Sequence, residues 1–326
     1  MLQPAPLRKL GKSDLMVSAI GLGCWQFAKG KGLTGSYWDA LPDDEIREII
    51  RISLEAGINW FDTAEAYGNG QSERALSGAL KSLGVKPQDI LIATKWRPFF
   101  RTAKSIGDTI DARLTALCGY PIALHQIHQP YSFSSVRAQM NAMADLVEAK
   151  KIRYVGVSNF SAKKMRLAHE ELGRRGIPLV SNQVRYNLLD RSIERNGILE
   201  TALELGVSII SYSPLAQGIL TGKFHEQPTL IRSKAGYRKY LKAFRPAGLE
   251  ASLPLIQVLR EQAQKYGRTP GQIALNWLIN VHGDMVVAIP GATSATQARE
   301  NAEALSFTPA KEDIDFLSCV SENIKS

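Results

Sequence analysis

Six short apolar runs end on polar residues at near-even steps: Asp62, Lys95, His128, Ser158 with Asn159, Gln183 and Tyr212 stand 33, 33, 30, 25 and 29 residues apart. One polar residue closing a strand is ordinarily a cap or a loop contact. Six in register, with mixed chemistry, describe a site. Asp62 and Lys95 are opposite charges that would converge in a partly dry pocket, and Tyr67 follows on the loop FDTAEAYGNG. A phenol titrates near ~10, too weakly acidic to protonate a developing alkoxide with ease. A neighbouring ammonium lowers that value, and Asp62 would hold the ammonium in place. His128 can donate a hydrogen bond to the same substrate oxygen. The set reads as a proton donor aimed at a carbonyl oxygen. No convincing nucleophile accompanies it. His125 and His128 are three residues apart on a strand and should point to opposite faces, so no metal site is expected and His125 reads as a packed or peripheral histidine.

A proton donor alone reduces nothing, so a hydride source is required. Ser158, Asn159 and Gln183 offer hydroxyl and amide groups suited to a carboxamide, and Tyr212 offers a flat face for a ring. The segment IPGATSATQAREN (289–301) ends a strand, turns at Gly291 and opens a helix whose N-terminus would suit a phosphate. The same segment also reads as a plain strand–turn–helix.

These residues need strands to aim them. Eight apolar runs are strand candidates: 17–22, 59–61, 90–94, 122–127, 154–157, 180–182, 208–211 and 286–289. Helix-period segments lie between them at 43–56, 72–83, 102–117, 134–150, 162–172 and 197–205, followed by 251–266, 270–280, 296–305 and 311–324. Eight βα units point to one α/β domain over residues 1–326, a (β/α)8 TIM barrel with a long loop after strand seven. A doubly wound dinucleotide domain is the rival. Gly21-Leu22-Gly23 lacks its third glycine and no helix follows at once.

The chain has 326 residues, 44% apolar and 22% charged, a globular balance. No apolar run reaches the ~18–20 residues of a membrane span. Three widely spaced cysteines make neither a disulfide framework nor a metal motif, and a reduced cytoplasmic protein is expected. The net charge is +9, and residues 222–250 hold seven Lys/Arg against two acids, +5 of it. Such an insertion could meet nucleic acid, a membrane surface or a phosphorylated ligand, and reads equally as a solvated basic face. It contains no nucleic-acid motif.

At this point the residues resemble the aldo-keto reductase family, in its bacterial branch similar to potassium-channel beta subunits. The resemblance rests on GINWFDTAEAYGNGQSE (57–73), IATKW (92–96), LHQIHQP (124–130), GVSNF (156–160), NQVRYNLLDR (182–191), SYSPLAQGILTGK (211–223) and IPGATSATQAREN (289–301). It implies a barrel that binds NADPH (NADP+), or NADH, without a Rossmann domain. The family's catalytic tetrad would fall on Asp62, Tyr67, Lys95 and His128, with Asp62 also counted among the cofactor contacts. Ser158, Asn159 and Gln183 would take the carboxamide and Tyr212 the ring. Gly23, Cys24 and Trp25 would lie beside it. Ser213, Leu215, Gln217, Gly218 and Lys223 would line the pyrophosphate. Gly291, Thr293, Gln297, Glu300 and Asn301 would hold the adenosine end. Many relatives place a cation next to IPG. Here Ala292, Thr293 and Ser294 follow, which leaves Arg232, Lys234 or Arg299 to meet a 2′-phosphate, Arg232 first among them. The implied activity is reversible reduction of an aldehyde or ketone, with Trp25, Trp96 and Phe99 as substrate-pocket walls. A nicotinamide-binding, redox-sensing accessory subunit with slow turnover is the alternative. No nucleic-acid or membrane partner is expected.

Overall fold

Backbone hydrogen bonds join the two ends of the chain. Gly21 N donates to Ala288 O at 2.8 Å, Ala288 N to Ala19 O at 2.9 Å and Gly23 N to Pro290 O at 3.1 Å. They close an eight-stranded parallel sheet into a barrel. The computed structural model describes residues 7–30, 37–231 and 237–322. Its barrel strands are β3 (Leu22–Gly23), β4 (Trp60–Asp62), β5 (Leu91–Trp96), β6 (Ile122–Ile127), β7 (Ile152–Ser158), β8 (Leu179–Arg185), β9 (Ser208–Tyr212) and β10 (Val286–Ala288), neighbours in that order. Each expected helical segment forms, with ends moved by a few residues, as in Asp43–Glu55, Lys104–Leu117 and Ala295–Glu303. Thr269 caps the helix Pro270–Asn280 through a reciprocal bond with Gln272, as Pro270 at the first turn suggests.

The first strand departs from expectation. The run 17–22 is not one strand. Its start belongs to β2 (Met16–Ser18), antiparallel to β1 (Leu7–Lys9), and only Leu22–Gly23 enters the barrel. The hairpin forms a floor: Leu10, Leu15 and Val17 pack with Trp60, Ala93, Leu124, Ile210 and Val287. Gly21 is required there, because a Cβ would lie 2.3 Å from the Trp60 ring.

The floor fixes the height of the site. Side chains alternate along a strand. The residues two positions beyond Trp60, Ala93, Leu124 and Ile210 are Asp62, Lys95, Gln126 and Tyr212, so an apolar layer lies directly beneath a polar one. The opposite faces of the strands pack on the surrounding helices through a continuous core that includes Phe61, Ile92, Trp96 and Ile127.

The basic insertion is not a bare loop. Turns at Ala216–Thr221, Pro228–Ile231, Tyr237–Tyr240 and Lys242–Phe244 and a short helix Lys223–Glu226 lead into the long helix Pro246–Tyr266. Ile219, Phe224, Ile231, Phe244 and Leu249 give it a small core of its own, with Phe224 edge-on to Phe244 at 5.2 Å.

Candidate active site

Asp62 ends β4 and Lys95 lies on adjacent β5. The Lys95 ammonium bonds the Asp62 carboxylate, with side-chain exposures of 0% and 1%. Lys95 also donates to Thr63 O at 2.8 Å. The second Asp62 oxygen accepts from Gln126 Nε2 at 3.1 Å and Gln183 Nε2 at 2.9 Å. Burial is the largest single influence and works against the Lys95 cation, but the charges and hydrogen bonds of Asp62 and Tyr67 together outweigh it and hold the lysine above its ordinary value.

Tyr67 sits beside this pair, its ring centroid 5.0 Å from Lys95 Nζ. It stacks on Trp25 at 5.8 Å and meets His128 edge-on at 5.6 Å. Lys95 does pull the phenol down, as expected from sequence, yet burial is the larger effect and Tyr67 ends above its ordinary value. His128 is pushed down to about 3 by burial, then by the charges of Lys95 and Arg97. At neutral pH the site therefore holds a protonated phenol, an ammonium and an uncharged imidazole. The His128 N–H can donate a hydrogen bond without competing as an acid. His125, on the outer face, is buried and also pushed to about 3.

The loop bearing Tyr67 is pinned from outside the barrel. Arg113 bridges Glu65 at 3.3 Å and Glu73 at 2.8 Å, and Thr94 donates to Glu73 at 2.6 Å. Glu73 is wholly buried and pushed up to about 7, chiefly by that burial.

Asp62, Tyr67 and His128 open on a cavity of about 1020 Å³. Ser158, Asn159, Gln183 and Tyr212 form one wall. Ser158 Oγ donates to Gln183 O at 2.9 Å, Asn159 Nδ2 to Ser158 Oγ at 3.1 Å and Tyr212 OH to Asn159 Oδ1 at 3.0 Å. Gly23, Cys24 and Trp25 also line it, as do Ser213, Leu215, Gln217, Gly218 and Lys223. Ser213, Ala216, Gln217 and Gly218 all take left-handed φ values, 50°, 48°, 58° and 99°, which turn the chain sharply off β9. Gly291, Thr293, Gln297, Glu300 and Asn301 line the far end, where Gln297 Oε1 accepts from Thr293 N at 2.9 Å and Asn301 Nδ2 donates to Gly291 O at 3.2 Å.

Three sequence expectations change here. Trp96 does not line the cavity: it is 1% exposed, faces the outer core and donates to Ser105 Oγ at 3.1 Å, because it lies one position past Lys95 and so on the opposite face. Phe99 and Trp25 do line it. The N-terminus of the helix Ala295–Glu303 is already engaged by an acid, since Ala295 N donates to Glu45 Oε1 at 2.7 Å. Among the described residues no lysine or arginine lines the cavity between Thr293 and Asn301; Arg299 is exposed and acts on Glu48. Arg232 and Lys234 lie outside the described residues.

Sequence reasoning missed Gln126 and Tyr37. Gln126 lies two positions before His128, and strand alternation alone would have placed it inward. Tyr37 stacks on Trp25 at 4.7 Å and donates from its hydroxyl to Gln217 Oε1 at 2.5 Å. It lies on a loop with no periodicity to reveal it.

The Aldo/keto reductase family model matches residues 19–321. The chain belongs to the aldo/keto reductase family. As such it is an oxidoreductase, in a family that reduces carbonyl compounds with nicotinamide cofactors. It is 35% identical over 316 residues to a chloroplastic pyridoxal reductase of Arabidopsis thaliana, covering 93% of this chain and 82% of the relative. Among solved structures, it resembles a thermostable aldo-keto reductase in complex with the inhibitor epalrestat (TM-score 0.74, 29% identity, 96% and 99% of the two chains). It also resembles the glycerol dehydrogenase of Gluconobacter oxydans (TM-score 0.83, 26% identity, 98% and 95%). No helix among the described residues of this aldo/keto reductase is long and apolar enough to cross a membrane.

Proposed function

We propose that this aldo/keto reductase uses NADPH to reduce an aldehyde or ketone, with Tyr67 as the proton donor. The observation that carries the reading is the enclosed Asp62–Lys95 pair set against Tyr67 at the base of a large cavity. The donor set along that cavity fits a nicotinamide dinucleotide: Ser158, Asn159 and Gln183 would hold the carboxamide, Tyr212 would face the ring, and Lys223 would meet the pyrophosphate. When bound, the nicotinamide supplies the hydride for the carbonyl carbon.

The chain's own residues handle the proton. Tyr67 keeps its proton at neutral pH because burial disfavours phenolate. As negative charge grows on the carbonyl oxygen, Tyr67 donates, and Lys95 stands ready to stabilise the phenolate left behind. Asp62 keeps Lys95 charged and in place. Neutral His128 fixes the direction of the oxygen with a hydrogen bond.

The choice of NADPH rests on the basic segment after β9 and on the family resemblance. A panel of aldehydes, run with NADPH and NADH side by side and followed by nicotinamide absorbance, tests the reading. Turnover dependent on Tyr67 and faster with NADPH supports it. A purified protein that binds NADPH but reduces no member of the panel would favour the accessory-subunit alternative.

A further inference from the structure

The proton and hydride machinery makes no use of Arg97. This residue follows the last one of β5 and lines the cavity mouth with an exposed side chain. Its backbone is held on both sides: its N–H donates to Glu65 Oε2 at 3.0 Å and its carbonyl accepts from Arg101 at 3.1 Å. Glu65 spends the rest of its carboxylate on Arg101, at 2.8 and 2.9 Å, and on Arg113 at 3.3 Å. The adjacent acid is therefore saturated by two other guanidiniums. Among the described residues, the Arg97 guanidinium has neither an ion pair nor a hydrogen bond.

Its position relates it to the reacting end of the cavity. After burial and Lys95, Arg97 is the third influence that lowers the proton affinity of His128. Lys95 acts on His128 more than Arg97 does, but Lys95 is paired with a carboxylate, as the Arg97 guanidinium is not. Asp39, the acid that lines the mouth, belongs to the separate loop that carries Trp38.

Aromatic residues follow Arg97 on its own loop and stand on the loop after β6. Phe99 lines the cavity and meets Tyr131 at 6.3 Å, and Phe100 meets Phe133 at 6.2 Å. Phe100 is 83% exposed and Phe133 72%, unusual for side chains of this size. The Arg97 guanidinium and the Phe99 ring on the same cavity lining suit a flat, apolar molecule with a negative end.

We propose that the substrate is an aldehyde or ketone whose flat or apolar body carries a carboxylate or phosphate, and that Arg97 reads this anionic group. The proposal rests on the carbonyl-reductase reading above. A guanidinium meets either anion with paired, charge-assisted hydrogen bonds. Its field at the mouth also raises the encounter rate of anionic molecules.

The test compares 4-carboxybenzaldehyde, 4-formylphenyl phosphate and the neutral methyl ester of the former, with wild type, Arg97→Gln and Arg97→Lys. Arg97→Gln should lower kcat/KM for an anionic aldehyde roughly tenfold more than for the ester, the scale of one hydrogen bond between charged groups, with the difference carried by KM. Arg97→Lys should recover part of the loss. Added salt should weaken the anionic substrates more than the ester. The anion with the greater loss identifies the group that is read. Equal losses for all three aldehydes, or equal salt dependence, would overturn the proposal. If wild type reduces none of them, the carbonyl-reductase reading fails. Terephthalate binding, followed by tryptophan fluorescence, then decides the role of Arg97: weaker binding to Arg97→Gln supports it, and equal binding or none sinks it.

Discussion

Lys95 and Asp62 bond to each other from neighbouring strands, and neither side chain reaches solvent. A buried ion pair is a poor source of stability unless every remaining hydrogen-bonding position is filled. Here Thr63, Gln126 and Gln183 fill them. The pair is thereby closed off except toward Tyr67 and the cavity that Asp62 lines.

Tyr67→Phe should lower kcat by ~10²-fold or more, because the hydroxyl is needed only as charge develops on the substrate oxygen. Cofactor affinity, measured by fluorescence titration, should change little. Retention of most activity in a folded variant would remove Tyr67 from the acid role. His128→Ala should keep more activity toward small aldehydes than Tyr67→Phe does, since it orients the oxygen rather than protonating it.

Lys95→Met should be nearly inactive. The lysine is the largest influence lowering the Tyr67 pKa against burial. Its loss should move the alkaline limb of any residual pH–rate profile to higher pH. An unchanged limb would show that the two groups are not coupled.

Stability should depend on pH through His125. Its folded value is about 3 against an ordinary 6.5, so below 6.5 the unfolded chain binds a proton that the folded chain refuses. The contribution is fully present above 6.5 and is lost as pH falls toward about 3, costing about 2 kcal/mol between pH 7 and pH 5. Glu73 acts in the opposite sense. It is pushed up to about 7, so its contribution is present below its unfolded value and fades as pH rises through about 7. Comparing wild type with His125→Gln by denaturant unfolding at the two pH values isolates the histidine. The wild type should lose more stability on acidification, and parallel losses would contradict the assignment.

Trp96 and Phe99 are three residues apart and should fail differently. Trp96→Ala removes a core ring and should cost about 3–5 kcal/mol of stability. Phe99→Ala, half-exposed at the mouth, should leave stability within about 0.5 kcal/mol and raise KM for aromatic aldehydes. Thermal unfolding and steady-state kinetics separate the two.

Glu45→Gln should tighten NADPH binding about two- to fivefold relative to NADH, by removing an anion from the helix N-terminus at the end proposed to receive the 2′-phosphate. Equal effects on the two nucleotides would place that phosphate elsewhere, with Arg232 the next residue to replace.

Much of this molecule is readable from strand alternation and spacing. The step from Asp62 to Lys95 to His128 is one βα unit each, so residue type and interval together reveal where the strands end. The same alternation, applied past Lys95, would have turned Trp96 outward. What escapes is set by distant partners. Met16–Ser18 has the apolar content of a barrel strand, and it becomes part of a floor because Leu7–Lys9 is available to pair with it. The pull of Lys95 on Tyr67 follows from residue types, but the larger effect of burial depends on Trp25 and on everything else that covers the ring. The capture of the Ala295 N–H by Glu45 joins residues 250 apart.

The seam that closes the barrel has a consequence for how the chain is made. Residues 19–23 bond to residues 288–290, and Arg8 donates to the carbonyls of Gly283 at 3.1 Å and Val286 at 2.9 Å. A ribosome delivers the N-terminal partners of these bonds long before the C-terminal ones exist. Through most of synthesis β3 has β4 on one side and an open edge on the other, and the hairpin is a floor without a completed wall. Strand edges of this kind recruit wrong partners. The nascent chain should therefore be prone to aggregate until about residue 290 has emerged, and truncation before β10 should yield aggregate rather than a smaller working barrel.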